Sequence, residues 1–285
     1  MCQTKINTVP APPFSYFAPR PPPMFEFHRD KARYFEMQRR TAAEYVLPRV
    51  LAQLAKPGPW RVLEVGCAEA GVLKAFLERG DEAVGVELEV HRAELARDFL
   101  AEEIAEGRAA IRTDNIYDVE PADLGGGFDV VLLKDVIEHI PEQERMVPRL
   151  REFLVPGGVL FFGFPPWYMP FGGHQQVASS PRVTRAPWLH LLPRRAYSNY
   201  LRAAGESEHI VTELESIRDT QISIERFERI VSDSGLRVLD RELWLFNPIY
   251  ALKFGLRAIP LPKPLAALPG VRNLYTTAAY YVVGA

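Results

Sequence analysis

The sequence predicts an α/β fold built on a doubly wound, mostly parallel sheet of seven strands. Three observations support this prediction. Short runs rich in Val, Leu and Phe recur along the chain, and segments with the apolar spacing of helices separate them. Such runs are typical of strands that helices cover on both faces of a sheet. The 285 residues are also enough to bury one sizeable core.

The predicted elements alternate along the chain. Strands are expected at residues 61–65, 82–88, 109–113, 128–135, 157–164, 236–246 and 276–284. Helices between them are expected at 71–80, 91–105, 142–153 and 222–235. Ahead of the first strand, apolar residues at helical spacing in 27–54 predict one or two helices, with Pro48 as a break or as a new first turn.

The pattern also suggests how the chain is organised. Residues 1–23 contain seven prolines and are expected to form an extended tail. The rest, 24–285, is expected to be one domain. Its parts are a helical segment at 24–56, a core at 60–164, an irregular insert at 165–220, and the C-terminal half of the sheet at 221–285, which carries a second insert at 247–273.

Composition excludes several classes of function. A formal net charge of −2 leaves no basic face for a nucleic acid. Two cysteines far apart argue against a disulfide framework or a thiolate metal site, and they fit a reducing compartment. No signal peptide and no apolar run of about 18 residues is evident, so we expect a cytoplasmic protein without a transmembrane segment.

A glycine-containing turn joins the first predicted strand to the first helix and should face the ligand crevice of an open α/β sheet. Gly66, Ala68 and Gly71 in "VLEVGCAEAG" fall one residue short of the dinucleotide fingerprint. Glu64 would repel a pyrophosphate but hold a cationic amino group. Glu87, in the second strand, is suited to accept hydrogen bonds from ribose hydroxyls. The turn therefore favours a nucleoside cofactor with an ammonium group over NAD.

Four sequence motifs, including this turn, resemble those of a known enzyme family. The sequence resembles the class I S-adenosylmethionine-dependent methyltransferases in "EVGCAEAG", "TDNIYD", "LLKDVIEHI" and "LVPGGVLFFGFP", over residues 60–165 and the last two strands. Alanines replace two of the family's glycines. The resemblance implies a Rossmann-like fold, a lid at 24–56, and S-adenosylmethionine as cofactor. The implied cofactor residues are Glu64, Gly66, Cys67, Ala68, Gly71, Glu87, Leu88, Asp114, Asn115, Ile116 and Lys134, with Asp114 placed for the adenine amine and Asn115–Ile116 beside the ring.

Methylation of a hydroxyl needs a base, and two clusters compete for that role. Asp135, Glu138 and His139 in "DVIEH" have the spacing of a metal site and resemble the segment that holds a metal in ubiquinone-pathway and small-RNA 2′-O-methyltransferases. Similar segments in other members anchor a loop without any metal. We therefore expect no divalent metal, and His139 is a weaker candidate base.

The second cluster lies in "FPPWYMPFGGHQQ", directly after the fifth strand. His174 is the leading candidate base, because the segment reaches the crevice edge and histidine titrates near neutrality. The insert resembles a bacterial subgroup that carries "GGHQQ". Its predicted acceptor-binding residues are Trp167, Tyr168, Phe171, His174, Gln175, Gln176 and His190. Rings and amides of this kind suit a carbohydrate or another small molecule, such as an aromatic natural product.

The expected function is thus O-methylation of a small-molecule or carbohydrate-type acceptor by a monomer or homodimer. A catalytically silent cofactor-binding subunit and a metal-assisted O-methyltransferase remain the alternatives. The second insert carries Lys253, Arg257 and Lys263 among apolar residues. It could touch a membrane surface, but we expect its apolar residues to cover the sheet edge and its basic ones to face solvent.

Overall fold

The computed structural model describes residues 30–284. The predicted tail at 1–23 and the first residues of the helical segment lie outside the described residues.

Eight strands form one sheet in the order β3-β2-β1-β4-β5-β8-β6-β7. They are β1 (Arg61–Val65), β2 (Glu82–Val86), β3 (Ala109–Arg112), β4 (Phe128–Lys134), β5 (Leu154–Phe164), β6 (Arg237–Phe246), β7 (Ile259–Pro260) and β8 (Ala278–Gly284). The first five strands in this order, β3, β2, β1, β4 and β5, are parallel to one another. Strand β8 runs antiparallel to both β5 and β6. This is the predicted doubly wound, mostly parallel sheet.

The strand count differs from the predicted seven. The extra strand, β7, has two residues, comes from the second insert and pairs with the edge of β6. A strand that short, containing proline, leaves little apolar periodicity to detect, and proline is tolerated there because only one side is paired. The order of the strands reverses between β1 and β4, so the carboxyl ends of these two strands flank the crevice where such sheets bind ligands.

The helices cover both faces of the sheet. They are α1 (Lys31–Thr41), α2 (Leu47–Leu51), α3 (Gly71–Leu77), α4 (Val90–Phe99), α5 (Ala101–Ala105), α6 (Gln143–Arg151), α7 (Pro181–Thr184), α8 (Arg194–Ala203), α9 (Glu208–Thr220), α10 (Ile224–Asp233), α11 (Ile249–Phe254), α12 (Lys263–Ala266) and α13 (Val271–Tyr275). A π-helical turn, Ala42–Val46, joins α1 to α2, and Pro48 lies in the first turn of α2. A proline there lacks only an N–H that would be unpaired anyway.

Alternation along the strands divides the core in two. Phe162, Phe164 and Tyr281 point to the face covered by α6 and α10. Phe161 and Tyr280 point to the opposite face, beneath the N-terminal helices and α3. All of these rings are fully buried. Burial on both faces explains why the strand sequences are apolar runs without polar alternation.

The insert at 165–220 is not irregular, contrary to the prediction. It contains α7, α8 and α9, and it has an apolar core of its own. That core comprises Trp167, Ala178, Val183, Leu189, Tyr197, Leu201, Val211, Leu214 and Ile217. The spacing of Val211, Leu214 and Ile217 is a helical signal in the sequence that the irregular segments around it obscure.

The second insert only partly covers the sheet edge. Ile249 and Leu261 are buried, whereas Phe254, Leu256 and Leu268 are exposed. Its end is fastened to α10, since Glu225 accepts hydrogen bonds from the side chains of Arg272 and Asn273. Among the described residues, none of the helices combines the length and the apolar character that a membrane span requires.

Candidate active site

The turn after β1 has the tight geometry that its small residues predict. Gly66 has a φ of 72°, and a Cβ there would come within 2.5 Å of Val136. Ala68 and Ala70, which stand where the family has glycines, have φ values of 51° and 62°. An L-residue in this left-handed region costs roughly 1–2 kcal/mol. The backbone path of a glycine-rich turn is therefore kept although two of its glycines are missing.

Glu87 ties the end of β2 to this turn. Its carboxylate accepts hydrogen bonds from the backbone N–H groups of Ala68 at 2.8 Å and Glu89 at 2.9 Å. Next to it, the Leu88 side chain is 67% exposed, which is unusual for a leucine beside a buried acid. The arrangement presents an acidic and an apolar group at the same edge of the sheet.

The segment after β3 completes that side of the crevice. Asp114 pairs with Arg112, with Nε and Oδ2 2.8 Å apart, and its side chain remains about one third exposed. The exposed Asn115 accepts a hydrogen bond from the N–H of Tyr117, while Ile116 is buried. Asp114 thus keeps acceptor capacity, and Ile116 belongs to the core rather than to an open surface.

Glu64 is a buried acid at the end of β1, inside the crevice. It is 2% exposed, and its Oε2 has no hydrogen-bond partner among the described residues. Burial raises the pKa of Glu64 to about 8, with Glu87 adding to the rise and Lys134 opposing it. A carboxyl group in this state would gain from a cationic ligand group.

A small cleft lies beside Glu64, with a volume of about 310 Å³ including the part open to solvent. Helix α1 forms one wall of it. The cleft is lined by Phe35, Gln38, Glu64, Gly66, Cys67, Ala68, Glu69, Gly71, Val72 and Lys134. Five of the predicted cofactor residues before β2, and Lys134 from β4, therefore meet around one space. The Cys67 thiol is buried, and burial raises its pKa.

Lys134 and Asp135 form an ion pair at the end of β4. The Nζ atom donates to Oδ2 of Asp135 at 2.5 Å and to Oε1 of Gln38, on α1, at 3.1 Å. Although burial opposes the charge of each group, the pair raises the pKa of Lys134 and lowers that of Asp135. Asp135 is therefore ionised, and its carboxylate is paired with Lys134.

Glu138, His139 and His174 come together next to this pair. One potential ligand atom from each lies within 4.8 Å of the others, and the two imidazole rings are 4.7 Å apart. We call these three residues the EHH cluster. The EHH cluster combines Glu138 and His139 from "DVIEH" with His174 from the insert, so it draws on both candidate groups of the sequence. His174 takes the place that the sequence analysis gave to Asp135.

Burial dominates the electrostatics of the EHH cluster. Neither carboxylate oxygen of Glu138 has a hydrogen-bond partner among the described residues, and burial raises its pKa well above the usual range. Burial, together with the nearby His139, lowers the pKa of His174 to about 3, and burial also lowers that of His139. Both imidazoles are consequently neutral near pH 7.

Backbone contacts hold the EHH cluster in place. Thr220, at the end of α9, donates its hydroxyl to the carbonyl oxygen of Glu138 at 2.5 Å. Gln143 donates its side-chain amide to the carbonyl oxygen of Ile137 at 2.9 Å. His174 has a φ of 55° and begins a short 3-10 turn. The insert therefore both supplies a member of the cluster and orients the segment after β4.

Three of the predicted acceptor residues are instead part of the insert's interior. Gln175 and His190 are fully buried, and Trp167 packs in the insert core. The Nε2 atom of His190 lies 2.7 Å from the carbonyl oxygen of Trp167, and the Gln175 amide donates to two loop carbonyl oxygens. These contacts give the three residues a structural role and leave them no open face.

The other predicted acceptor residues are more accessible. Tyr168 is 42% exposed, and Phe171, His174 and Gln176 are partly exposed. These four residues remain the candidates for an acceptor wall.

Three residues near Asp135 are missing from the sequence-based site. Tyr34 lies on α1, and Tyr250 and Lys253 lie on α11 of the second insert. The Lys253 ammonium is 5.2 Å from the centre of the Tyr34 ring, and the charge of Asp135 influences the pKa of all three groups. In the sequence, the helical spacing of Tyr34 suggested a core face, and Lys253 was expected to face solvent. That expectation is wrong for Lys253, whose side chain is partly buried.

The comparisons with known proteins agree with this architecture. The profile of the methyltransferase domain family matches residues 35–205. The ubiquinone biosynthesis O-methyltransferase of Idiomarina loihiensis is 33% identical over 106 residues, which are 36% of this chain and 41% of that protein. The enzyme of that name from Mesorhizobium japonicum is 25% identical over 191 residues, 66% of this chain and 64% of that protein. The chain thus spans less than two thirds of the length of either relative.

Solved structures show the same fold at low sequence identity. An S-adenosylmethionine-dependent methyltransferase from Clostridium acetobutylicum superposes with a TM-score of 0.54 and 10% identity, covering 90% of this chain and 98% of that one. Magnesium protoporphyrin IX methyltransferase from Synechocystis gives a TM-score of 0.50 and 15% identity, with coverage of 90% and 86%. The family match covers more than half of the chain, and the sheet has the predicted topology. The chain therefore belongs to the class I S-adenosylmethionine-dependent methyltransferase family.

Proposed function

We propose that this protein is an S-adenosylmethionine-dependent O-methyltransferase that acts on a small-molecule or carbohydrate-type acceptor. The observation that carries the proposal is the position of the EHH cluster. Asp135 adjoins the cluster, and its partner Lys134 lines the cleft beside Glu64. A methyl donor bound in that cleft would lie close to groups that can handle the proton of a hydroxyl.

The crevice fits S-adenosylmethionine by the chemistry of its side chains. Glu64 would hold the α-ammonium group, which would give a partner to the Oε2 atom that has none within residues 30–284. Glu87 would accept hydrogen bonds from the ribose hydroxyls, and Asp114 from the adenine amine. The exposed Leu88 would pack against the base. When bound, the cofactor supplies an electrophilic methyl group on its sulfonium.

The reaction requires one proton to leave the acceptor. The acceptor hydroxyl would pass its proton to a base of the protein as its oxygen takes the methyl group that the bound cofactor would give up from sulfur. His174 is neutral and can accept that proton. Its pKa of about 3 makes it a weak base, so proton transfer to it would need negative charge to develop nearby during the reaction.

A metal-assisted reaction is a second candidate, and the EHH cluster favours it. Two neutral imidazoles and the buried carboxyl group of Glu138, whose oxygens have no hydrogen-bond partner among the described residues, form a donor set that would suit a divalent cation such as Zn²⁺ or Mn²⁺ once the carboxyl group loses its proton. Glu138, His139 and His174 would hold the ion. Asp135, which the sequence grouped with them, is engaged by Lys134. When bound, the cation would lower the pKa of the acceptor hydroxyl.

Calorimetry and a turnover assay test the proposal. S-adenosylmethionine is expected to release or absorb binding heat, whereas NAD is not, and a protein that binds neither would contradict the proposed function. Turnover is measured as S-adenosylhomocysteine release with a panel of sugars and phenols. Binding without turnover on any acceptor would favour the silent subunit.

The two mechanisms make different predictions in the same assay. If EDTA abolishes turnover and Zn²⁺ or Mn²⁺ restores it, the metal-assisted reaction is supported. If EDTA has no effect and His174→Ala removes turnover, the histidine base is supported. His209→Ala, which changes an exposed histidine on α9, is the matched control.

A further inference from the structure

A short turn of the first insert, between α7 and α8, exposes three apolar side chains together. Trp188, Leu191 and Leu192 are exposed, whereas Leu189 and His190 between them are buried. We call the three exposed residues the apolar tip. Single exposed leucines are ordinary on a protein surface, but a group of neighbouring apolar side chains that includes a tryptophan indicates a contact surface.

Hydrogen bonds hold the apolar tip in this orientation. The Trp188 N–H donates to the carbonyl oxygen of Pro170 at 2.6 Å, and its indole Nε1 donates to that of Tyr168 at 3.1 Å. Arg218, on α9, donates to the carbonyl oxygen of Leu192 at 2.8 Å. Trp188 also has a φ of 58°, a conformation that persists only where the surrounding structure enforces it. The exposure of the tip is therefore built into the fold of the insert.

Arginines flank the apolar tip. Although the whole chain has a formal net charge of −2, residues 165–205 contain no aspartate or glutamate, and their charged residues are Arg182, Arg185, Arg194, Arg195 and Arg202. Arg194 and Arg202 pair with acids of α9. Arg182, Arg185 and Arg195 are exposed, and no carboxylate within residues 30–284 pairs with any of them. The surface around the tip is therefore positively charged.

We propose that the first insert docks on a membrane surface that carries anionic phospholipids. The apolar tip would enter the boundary between headgroups and acyl chains, a region that favours the amphipathic indole of tryptophan. The three arginines would face lipid phosphates, because a negatively charged surface complements them and an uncharged protein face would not. Docking goes beyond the proposed function and does not depend on it. Since Tyr168, a candidate for the acceptor wall, accepts the indole hydrogen bond, the docked face would adjoin that wall.

Tryptophan fluorescence of the full-length protein tests contact at the apolar tip. The chain has four tryptophans, of which Trp60, Trp167 and Trp244 are buried, so Trp188, at 41% exposed, is the one that can report contact with lipid. Vesicles of phosphatidylcholine and phosphatidylglycerol in equal parts should shift the emission to shorter wavelength, and brominated acyl chains should quench it. Vesicles of phosphatidylcholine alone are the control. Trp188→Phe should still bind the anionic vesicles but lose both signals.

Sedimentation with the same vesicles measures the contribution of charge. An arginine near an anionic surface strengthens binding about fivefold, so replacing Arg182, Arg185 and Arg195 together by glutamine should weaken binding about a hundredfold. The matched control changes the net charge equally by replacing three exposed arginines outside the insert with glutamine, namely Arg33, Arg40 and Arg229. This control should bind nearly as well as the wild type. Added salt should weaken binding of the wild type, because it screens charges at an exposed surface.

Several outcomes would overturn the proposal. These are an absence of binding to anionic vesicles, equal binding to both kinds of vesicle, and equal weakening by the two triple substitutions. If the wild type ignores vesicles and Leu191→Ser with Leu192→Ser converts a dimer to a monomer in ultracentrifugation, the tip is instead a contact between two copies. The fluorescence and salt series use the wild type, so they decide the question even where a variant unfolds.

Calorimetry with S-adenosylhomocysteine separates this proposal from the proposed function. A wild type that binds the cofactor but no anionic vesicle contradicts only the docking surface. A wild type that binds anionic vesicles but no cofactor contradicts only the proposed function.

Discussion

Replacing Glu64 by glutamine should stabilise the ligand-free protein while impairing cofactor binding. Glu64 is 2% exposed, and its pKa is about 8 in the folded state against 4.5 for an ordinary glutamate. A carboxyl whose pKa is raised by folding stabilises the protein most below pH 4.5. That contribution is lost as the pH rises from 4.5 to 8, because the unfolded chain ionises first.

The size of the effect follows from the shift. Each pH unit between the two pKa values costs about 1.4 kcal/mol, so the wild type loses roughly 3 kcal/mol by pH 7 and roughly 5 kcal/mol above pH 8. Glu64→Gln does not ionise and avoids this loss. The measured gain should be smaller than these figures, because the glutamine amide must itself be buried.

Urea unfolding at several pH values is the appropriate assay. The difference in unfolding free energy between Glu64→Gln and wild type should be close to zero at pH 4.5 and should grow up to pH 8. Glu102→Gln, an exposed substitution on α5, should show no such growth. S-adenosylhomocysteine should raise the stability of the wild type more than that of Glu64→Gln. A difference that stays constant from pH 5 to pH 8 would refute the reasoning.

Three further substitutions test the surroundings of the site. Ala68→Gly should raise the unfolding free energy by about 0.5–1 kcal/mol in urea titrations, because residue 68 has a φ of 51° and glycine adopts that conformation without strain. Thr220→Val should reduce turnover, because it removes the hydroxyl that donates to the carbonyl oxygen of Glu138. Calorimetry should show unchanged binding of S-adenosylhomocysteine, and Thr220→Ser should retain activity. Glu206→Gln should lower the unfolding free energy by about 1–3 kcal/mol, because the buried carboxylate accepts hydrogen bonds from the N–H and hydroxyl of Ser179 and from the N–H of Ser180. An unchanged urea midpoint would contradict this role of Glu206.

The sheet was predictable because its signals are local. Buried strands are apolar runs, and the turns between them contain glycine. The predicted bounds of β1 therefore equal the observed ones, and the predicted bounds of the other long strands lie within a few residues of the observed bounds. The helices of the insert were missed because proline-rich and aromatic segments surround them. Their apolar residues cover a small separate core instead of the sheet.

The candidate site was only partly predictable because it depends on contacts between distant segments. The turn after β1 and the acid of β2 follow from motif and strand order. No local pattern shows that His174 lies against His139, 35 positions before it in the sequence, or that Lys253 reaches Tyr34. These contacts depend on how the insert and α11 pack, which periodicity alone does not determine.

Backbone strain provides a last indication of where the chemistry lies. Seven non-glycine residues in the described part of the chain have positive φ: Ala68, Ala70, Asp135, Glu142, His174, Trp188 and Gln221. Ala68 and Ala70 lie in the turn after β1, Asp135 directly follows β4, and His174 lies in the segment after β5. At the opposite edge, glycines such as Gly80 and Gly107 supply this conformation at no steric cost. Strained conformations persist only where the surrounding structure enforces them, and they concentrate at functional sites. At His174 a glycine would relieve the strain but remove the imidazole that the proposed reaction uses, and at Asp135 it would remove the carboxylate that pairs with Lys134. Keeping these two residues is consistent with a crevice built for catalysis.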